Sequence, residues 1–453
     1  MSEPAPPSGP DPISLLRSKA YVRALILAAI LGIPISAAAY FYLQLVTWLQ
    51  GWLFTTVPVD LGFHGAPIWW PLPLLVLAGF LVAAAIRFLP GTGGHSPADG
   101  FKPGGGAPSP IQMPGIVLAS LATLALGVVL GPEAPLIAIG GGLGVIAVRL
   151  VQRGAPETAV QVIGAAGSFA AISTLLGSPL LGAFLLLEAS GIGGPMLGVV
   201  LIPGLLASGI GALIFLGLGS ITGLGTFSLS IPGLPPFSHP TAAMLGWAVV
   251  FGLVAAVLGW LIRSLGLIVR PHVEPRMLTL MPVLGLLIGG LAVIFAQITG
   301  KPSSEVLFSG QSALPGLISG AATWSIGALL LLIACKGIAY GLSLSSFRGG
   351  PVFPSMFLGA AAGIAASHLP GLSLVPAVAM GIGALCTAML KLPLTATLLA
   401  TLLLASDGVA VMPLVIVAVV VAYVATARLP LPGSREESSV DQPTPAPNAA
   451  AAG

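Results

Sequence analysis

The sequence predicts an all-α, polytopic membrane protein. Of its 453 residues, 56% are hydrophobic and only 6% are charged, whereas soluble domains carry about 25% charged residues. No Lys, Arg, Asp or Glu occurs between Ala189 and Ile262, and a spanning helix needs only about 20 apolar residues. A transmembrane β-barrel would instead show ~10-residue segments of alternating hydrophobicity, and the sequence has none.

The apolar segments predict short, tilted and interrupted helices. In the first half they cover residues 24–52, 68–89, 112–130, 134–150, 158–176, 179–188 and 195–219. In the second half they cover residues 241–268, 277–298, 317–341, 355–368, 374–390, 393–405 and 411–427. Several are too short to cross a bilayer alone, and such pieces are tolerated where their ends are buried in protein or line a water-filled cavity.

Three pairs of landmarks recur in the same order, which predicts an internal duplication. The pairs are Gly94 with Gly310, Gly131-Pro132-Glu133-Ala134-Pro135 with Gly350-Pro351-Val352-Phe353-Pro354, and Ser178-Pro179-Leu180 with Leu392-Pro393-Leu394. We therefore expect two membrane repeats, residues 19–220 and 221–428. An odd number of crossings in each repeat would give them inverted topologies and place both termini on one side.

The ends of the chain predict its orientation. Residues 1–18 and 429–453 are rich in proline and polar residues and read as disordered tails. Basic residues flank the first and the last apolar runs, and cytoplasmic loops carry an excess of Lys and Arg. We expect both termini on the cytoplasmic side of the inner or plasma membrane.

Glu133 is the candidate gate. A carboxylate at bilayer depth costs about 2.5–3.5 kcal/mol on insertion scales, so it usually has a function. Gly-Pro predicts a helix start, and the amides of Glu133, Ala134, Val352 and Phe353 would then point out of two positively polarised helix ends. Such ends can hold a small anion without a full cationic charge. An ionised Glu133 could occupy such an end and block the path, and a protonated one could leave; the alternative is that it merely caps its own helix.

These motifs resemble the chloride channel and transporter (CLC) family. That family carries G-S-G-I-P, G-(K/R)-E-G-P and G-x-F-x-P in this order, at helix starts around the anion path, and the resemblance covers about residues 20–428. It implies that Glu133 is the gating glutamate. It also implies a homodimer in the lipid bilayer that transports chloride or a similar small anion, with or without protons, and that uses no cofactor, metal or nucleic acid.

The chain departs from the family pattern at the anion site. The motif after Gly94 is one residue short, so the anion-binding hydroxyl falls on Ser96 or its place is taken by His95; the alternative is an ordinary N-cap turn. Val352 aligns with the family phenylalanine, and Phe353 follows it. Pro132 and Pro351 remove two amides that could meet the anion, which predicts weaker or differently selective binding.

The predicted proton pathway also departs from the family. Its exchangers carry an inner glutamate at the position of Ala189, and Glu188 lies one residue earlier. A shifted register would let Glu188 carry protons; otherwise it is a structural acid bonded to nearby backbone or hydroxyl groups. The family also carries a tyrosine on its anion path, late in the sequence. This chain has no match for that tyrosine, because Tyr423 comes too early. Whether the protein is a channel or a proton-coupled antiporter stays open. Ala189 at the position of the inner glutamate favours passive or weakly coupled conduction.

Four further residues in or next to the apolar segments of the second half can be interpreted from the sequence. Lys336 could raise the local positive potential and draw anions inward, or donate to helix-end carbonyls as a structural group. Arg348 reads as an interfacial or loop-anchoring residue. Cys335 and Cys386 read as small packing residues, since they form no metal-binding or disulfide pattern.

Two other classes of function explain the sequence less well. A different inverted-repeat transporter, for fluoride, nitrate, sulfate or an organic anion, would also use opposed helix ends, but a larger substrate would need a cationic anchor such as Lys336 or Arg348. An intramembrane serine protease needs its serine and histidine on facing segments, and His95 and Ser96 are adjacent in sequence. We therefore expect a transport protein and not an enzyme.

Overall fold

The computed structural model describes residues 16–101, 107–151, 153–173, 175–191, 196–226, 235–237, 239–404 and 408–432. Within these ranges the regular elements are helices, and the only extended pairing is one isolated bridge between Gly131 and Gly350. Most of the two predicted tails, residues 1–15 and 433–453, and the last residue of the predicted apolar run 393–405 lie outside the described residues.

Helices account for most of the described chain. Those of the first half are α1 (Lys19–Gly51), α2 (Pro71–Phe88), α3 (Met113–Ala125), α4 (Glu133–Val151), α5 (Glu157–Ile172), α6 (Pro179–Ser190) and α7 (Met196–Thr222). Those of the second half are α8 (Ala242–Val273), α9 (Met277–Thr299), α10 (Leu314–Ser319), α11 (Ile326–Ser346), α12 (Val352–Ala366), α13 (Leu374–Leu390), α14 (Pro393–Leu403) and α15 (Gly408–Arg428). A π-helical turn, Trp52–Thr56, and a short helix, Val57–Asp60, continue α1.

The expected mixture of long and short helices is present. Seven helical stretches of the described chain are long and apolar enough to cross a membrane. By contrast, α6, α12 and α14 have only 12, 15 and 11 residues, below the roughly 20 that a crossing requires. The prolines mark the starts as predicted, since Pro179 begins α6 and Pro393 begins α14.

Two apolar runs end differently from the sequence-based expectation. The run 317–341 is split, because α10 ends at Ser319 and α11 begins only at Ile326, where the Ser325 hydroxyl accepts a hydrogen bond from the Ala328 amide. The run 112–130 stops being helical at Ala125, and Gly127 takes a φ of +100° that only glycine adopts easily. Hydropathy was continuous across both breaks, so it could not reveal them.

The two halves repeat one packing pattern. In the first, α1 packs on α5 and α7; in the second, α8 packs on α13 and α15. The α4–α5 pair makes close contact at Gly140 and Gly167, and the α12–α13 pair does so at Gly359 and Gly381. A Cβ on any of these glycines would overlap with the backbone carbonyl of the glycine that it faces. The boundaries of the repeats stay a prediction; α7 runs to Thr222, so position 220 lies in its last turn.

Candidate functional site

The two Gly-Pro motifs meet at a buried point between the halves. The Gly131 amide donates to the Gly350 carbonyl at 2.7 Å, and the Gly350 amide donates to the Gly131 carbonyl at 2.6 Å. Two residues after each glycine a helix begins, α4 at Glu133 and α12 at Val352. The reciprocal antiparallel contact is the one expected between repeats of inverted topology, and it brings two helix N-termini together.

The Glu133 side chain lies on the N-terminus of the helix from the other half. Its residue is fully buried, and Oε1 accepts a hydrogen bond of 2.9 Å from the Phe353 amide. The amides of Val352 and of Glu133 itself also face the carboxylate, while Oε2 is buried without a hydrogen-bond partner. The carboxylate thus occupies the first turn of α12, which we call the α12 tip, in the position of an anion bound to a helix end.

Two glycines make room for this carboxylate. A Cβ on Gly350 would overlap with Glu133 Oε2 and lie 2.8 Å from the carboxyl carbon. A Cβ on Gly131 would lie 2.5 Å from Oε1 and 2.6 Å from the carboxyl carbon. The amide of Ala134 is 3.1 Å from the same Gly350 position. Any side chain at 131 or 350 would therefore compete with Glu133 for the space at the tip.

The loop after α2 brings Ser96 toward the same region. Gly94 (φ +95°) and its counterpart Gly310 (φ +84°) share a left-handed backbone conformation, as the repeat predicts. Ser96 precedes a 3₁₀ turn, Pro97–Asp99, but its hydroxyl does not cap that turn and is buried without a partner. His95 is exposed. Of the two candidates, Ser96 alone presents an unpaired buried donor.

Lys336 donates to backbone carbonyls, which is the contact expected from its structural interpretation. Its residue is fully buried, and Nζ donates to the carbonyls of Glu305, Val306, Leu307 and Phe308 at 3.0–3.3 Å. The ammonium also lies 4.4 Å from the centre of the Phe357 ring. Burial raises the pKa of the Glu305 carboxyl, and the nearby lysine charges oppose that shift.

We expect Lys336→Met to destabilise the protein by about 2–4 kcal/mol, because four backbone carbonyls, at least two of them in buried contacts, lose a charged donor. The measurement is thermal unfolding in detergent. Lys301→Met is the matched control, since Lys301 lies over the Trp324 ring and its loss should cost only about 0.5–1 kcal/mol. Equal effects of the two substitutions would contradict the role assigned to Lys336.

Arg348 anchors a loop, as one of its interpretations expected, and its side chain is buried within the protein. Its guanidinium donates to the carbonyls of Thr92, Ser346 and Phe347 at 2.9–3.2 Å. It therefore ties the loop that leads to Ser96 to the segment that leads to the α12 tip.

Glu188 accepts hydrogen bonds from backbone and hydroxyl groups, which are the contacts that its structural interpretation predicted. From the last turn of α6 it accepts hydrogen bonds from the Leu394 amide (2.8 Å), the Thr395 amide (2.7 Å) and the Thr395 hydroxyl (2.6 Å). These groups form the first turn of α14, so Glu188 caps a helix of the other half. The neighbouring Ala189 is half-buried and packs against the core.

We expect Glu188→Ala to lower stability by about 1–2 kcal/mol, the usual effect of losing an N-cap acid, and to leave the pH dependence of transport unchanged. Thermal unfolding and liposome flux at several pH values test the two statements. Glu157→Ala is the control, because Glu157 is an exposed acid in the first turn of α5. A lost pH response with normal stability would instead support a proton pathway through Glu188.

Two residues near the α12 tip were missed by sequence reasoning. Tyr340 is fully buried and donates to the Pro351 carbonyl at 2.8 Å, beside the Ser355 hydroxyl at 3.3 Å. Arg263 lines a narrow cavity together with Pro351. Arg263 was detectable as a lone charge inside the run 241–268, whereas nothing local distinguishes Tyr340. Tyr423 is exposed on α15, which suits packing against lipid or a partner.

The described residues contain no group of three or more His, Cys, Asp or Glu side chains that could hold a metal ion. Cys335 and Cys386 are buried free thiols, in agreement with their interpretation as packing residues. What the site offers is a set of helix-end amides, one carboxylate and one unpaired hydroxyl. With the short broken helices, these features define a membrane transport protein for ions.

Comparison with known proteins identifies the family. A sequence profile described as voltage-gated chloride channel matches residues 99–427. The putative ion-transport protein YfeO of Escherichia coli is 30% identical over 352 residues, which cover 76% of this chain and 79% of YfeO. The protein belongs to the voltage-gated chloride channel (CLC) family, whose members are transport proteins.

Solved structures show the same fold. A slow cyanobacterial Cl⁻/H⁺ antiporter superposes with a TM-score of 0.69 at 20% identity, over 89% of this chain and 94% of that one. A CLC-type fluoride/proton antiporter superposes with a TM-score of 0.67 at 17% identity, over 90% of this chain and 97% of that one. Both confirm the predicted all-α, polytopic architecture.

Proposed function

We propose that this protein transports a small monovalent anion, with chloride as the leading candidate, along a path lined by helix N-termini and gated by Glu133. The observation that carries the proposal is the hydrogen bond from the Phe353 amide to the Glu133 carboxylate at the buried meeting point of the repeats. In this proposal Gly94, Ser96, Ala134, Val352 and Phe353 contribute to anion binding. An anion at the α12 tip must displace the carboxylate, and a proton on the carboxylate favours that exchange.

We propose conduction that is passive or weakly coupled to protons. A Glu188 carboxylate that accepts three hydrogen bonds is poorly suited to shuttle a proton, and Ala189 cannot carry one. A coupled antiporter is the alternative, favoured by the fold shared with two proton antiporters.

Fluoride is the second candidate substrate. One structure of the same fold is described as a fluoride/proton antiporter, and the prolines at 132 and 351 remove two amides from the site, so selectivity need not follow chloride. Nitrate, sulfate and organic anions are weaker candidates, because the described charges near the tip are few and Lys336 is bound to carbonyls.

The assembly and location complete the proposal. We propose a homodimer with one path in each subunit, composed of the repeats 19–220 and 221–428, in the cell membrane with both termini in the cytoplasm. The exposed apolar side chains of α7, which include Leu205, Leu213 and Leu216, suit contact with lipid or with a second copy.

A liposome efflux assay tests the proposed function. Purified protein is reconstituted, and efflux of chloride, fluoride, nitrate and sulfate is recorded together with internal pH. We expect selective efflux of a monovalent halide. Proton uptake driven by a chloride gradient would favour exchange over conduction, and the absence of flux for all four anions would refute the proposal.

A further inference from the structure

The same strained backbone turn recurs in both halves of the chain. Thr92 (φ +49°) and Phe308 (φ +57°) are two of the three described residues other than glycine that have a positive φ. They are 216 residues apart, which is also the spacing of Gly94 and Gly310. For a β-branched or bulky side chain this conformation is a genuine outlier. Such residues persist where the surrounding structure enforces them, and they cluster at functional sites.

A buried cation holds the carbonyl of each strained residue. Arg348 Nε donates to the Thr92 carbonyl at 3.1 Å, and Lys336 Nζ donates to the Phe308 carbonyl at 3.3 Å. Both cations are buried, and hydrogen bonds from charged donors are stronger than those between neutral groups. Lys336 lies on α11, and Arg348 lies between α11 and α12. The segment that leads to the α12 tip therefore holds the strained turn of each half.

Lys336 holds the whole turn before Phe308 and not only the strained carbonyl. Its ammonium also lies 3.0–3.1 Å from the carbonyl oxygens of the three preceding residues, 305–307. An ammonium has three N–H donors, so these four carbonyls occupy all of them. The Glu305 carboxylate interacts electrostatically with Lys336 and with Lys301. Lys336 therefore acts on the backbone of residues 305–308, which we call the 305–308 turn.

The 305–308 turn supports the segment that leads to Glu133. The Phe308 amide donates to the Gly127 carbonyl at 3.0 Å, just after α3 has ended. Further along this segment, the Val129 amide donates to the hydroxyl of Ser343 on α11 at 3.3 Å. The backbone that reaches Glu133 is thus held by α11 directly and by the turn that α11 holds.

Lys336 also contacts the helix that carries the amide partners of Glu133. Its ammonium lies 4.4 Å from the centre of the Phe357 ring on α12, where a cation is attracted to the ring face. Phe357 follows Phe353 by one helical turn on the same face, and the Phe353 amide donates to the Glu133 carboxylate. One side chain therefore touches both the support of the Glu133 segment and α12.

We propose that Lys336 is a positioning residue of the gate, which fixes the 305–308 turn relative to α12 and so sets how well the Glu133 carboxylate fits the α12 tip. The proposal rests on the proposed gating by Glu133. Without the ammonium, the strained turn relaxes and the Gly127 carbonyl loses its contact with the Phe308 amide. The carboxylate then leaves the tip more readily while it is still ionised, so anion flux depends less on its protonation.

The test is the ratio of chloride flux at about pH 5 to chloride flux at about pH 7.5 in proteoliposomes, two values on the acidic and neutral sides of most carboxyl titrations. A ratio cancels the amount of folded protein, so a loss of stability alone leaves it unchanged. We expect Lys336→Met to lower the ratio about threefold, within the range of substitutions that couple distant sites. Lys301→Met is the control that should keep the ratio, since Lys301 lies over the Trp324 ring.

A second substitution tests the strained turn itself. Glycine adopts a positive φ readily, so Phe308→Gly lets the turn keep its conformation without the lysine. Combined with Lys336→Met, it should restore part of the lost ratio. A ratio that stays as low in the double variant would place the effect outside the turn and overturn the proposal.

Lys336→Gln keeps two N–H donors for the carbonyls and replaces Lys336→Met in these comparisons if the latter does not fold. An unchanged ratio in a folded Lys336 variant would overturn the positioning role and leave gating by Glu133 intact. Chloride flux that does not respond to pH in the unmodified protein would instead refute gating by Glu133, and the positioning role with it.

Discussion

Glu133→Gln is expected to abolish the pH response of anion flux while flux continues. In the unmodified protein the ionised carboxylate binds the Phe353 amide and occupies the α12 tip, so flux should rise as protonation removes its charge. A single titrating group limits that rise to about tenfold per pH unit. The neutral glutamine has no charge to gain or lose, and it is a weak competitor for a positively polarised helix end.

The measurement is liposome efflux from pH 4 to pH 8, with pH values chosen to bracket ordinary carboxyl titration. Glu133→Ala should behave like Glu133→Gln, because both remove the charge. Glu157→Gln, at an exposed acid on α5, is the control and should keep the response of the unmodified protein. A pH response that persists in both Glu133 variants would show that another group gates the path.

Gly350→Ala is expected to raise flux at neutral pH to the level of Glu133→Gln. A Cβ at this position overlaps with Glu133 Oε2, and the end of a glutamate side chain moves more easily than the paired backbone of Gly131 and Gly350. Gly350 is not among the described glycines with a positive φ, so alanine imposes no backbone strain of the kind that glycine alone tolerates. The displaced carboxylate leaves the α12 tip to the anion.

A double substitution separates this effect from general damage. In the Glu133→Ala background the carboxylate that would collide is absent, so adding Gly350→Ala should change flux little. Gly327→Ala, at an α11 glycine whose Cβ would meet no atom within 4 Å, is the control for altered helix composition. If Gly350→Ala removes flux both in the unmodified protein and in Glu133→Ala, the added Cβ disrupts the backbone bridge to Gly131. The effect would then not come from displacement of the Glu133 carboxylate.

Much of the architecture could be predicted because its causes are local. Scarcity of charge predicted the membrane class, and proline at the first helical turn predicted the starts of α6 and α14. The recurring landmarks predicted the duplication, which the matching conformations of Gly94 and Gly310 support. The breaks near Gly127 and between Ser319 and Ile326 were missed, because apolar composition does not change there.

The site was predictable in part. The sequence indicated Glu133 as the acid and the amides near Val352 and Phe353 as its partners, since both depend on a motif and its repeat. It left open whether Lys336 and Glu188 were functional or structural, because their partners lie about 30 and 206 residues away in the chain. Arg263 was missed although it is a lone charge in the run 241–268, and Tyr340 was missed because nothing in its local sequence distinguishes it.

The sequence alone predicted a bundle of broken membrane helices, arranged as two repeats, with the acid Glu133 at a helix start inside an apolar region. That information is carried by hydropathy, proline placement and repetition, each a property of neighbouring residues. Only the tertiary structure decided that the Glu133 carboxylate contacts the first turn of α12 as well as the start of its own helix, and that Arg263 has no ion-pair partner among the described residues. Those outcomes depend on distances between segments up to 220 residues apart, which packing of the two halves sets.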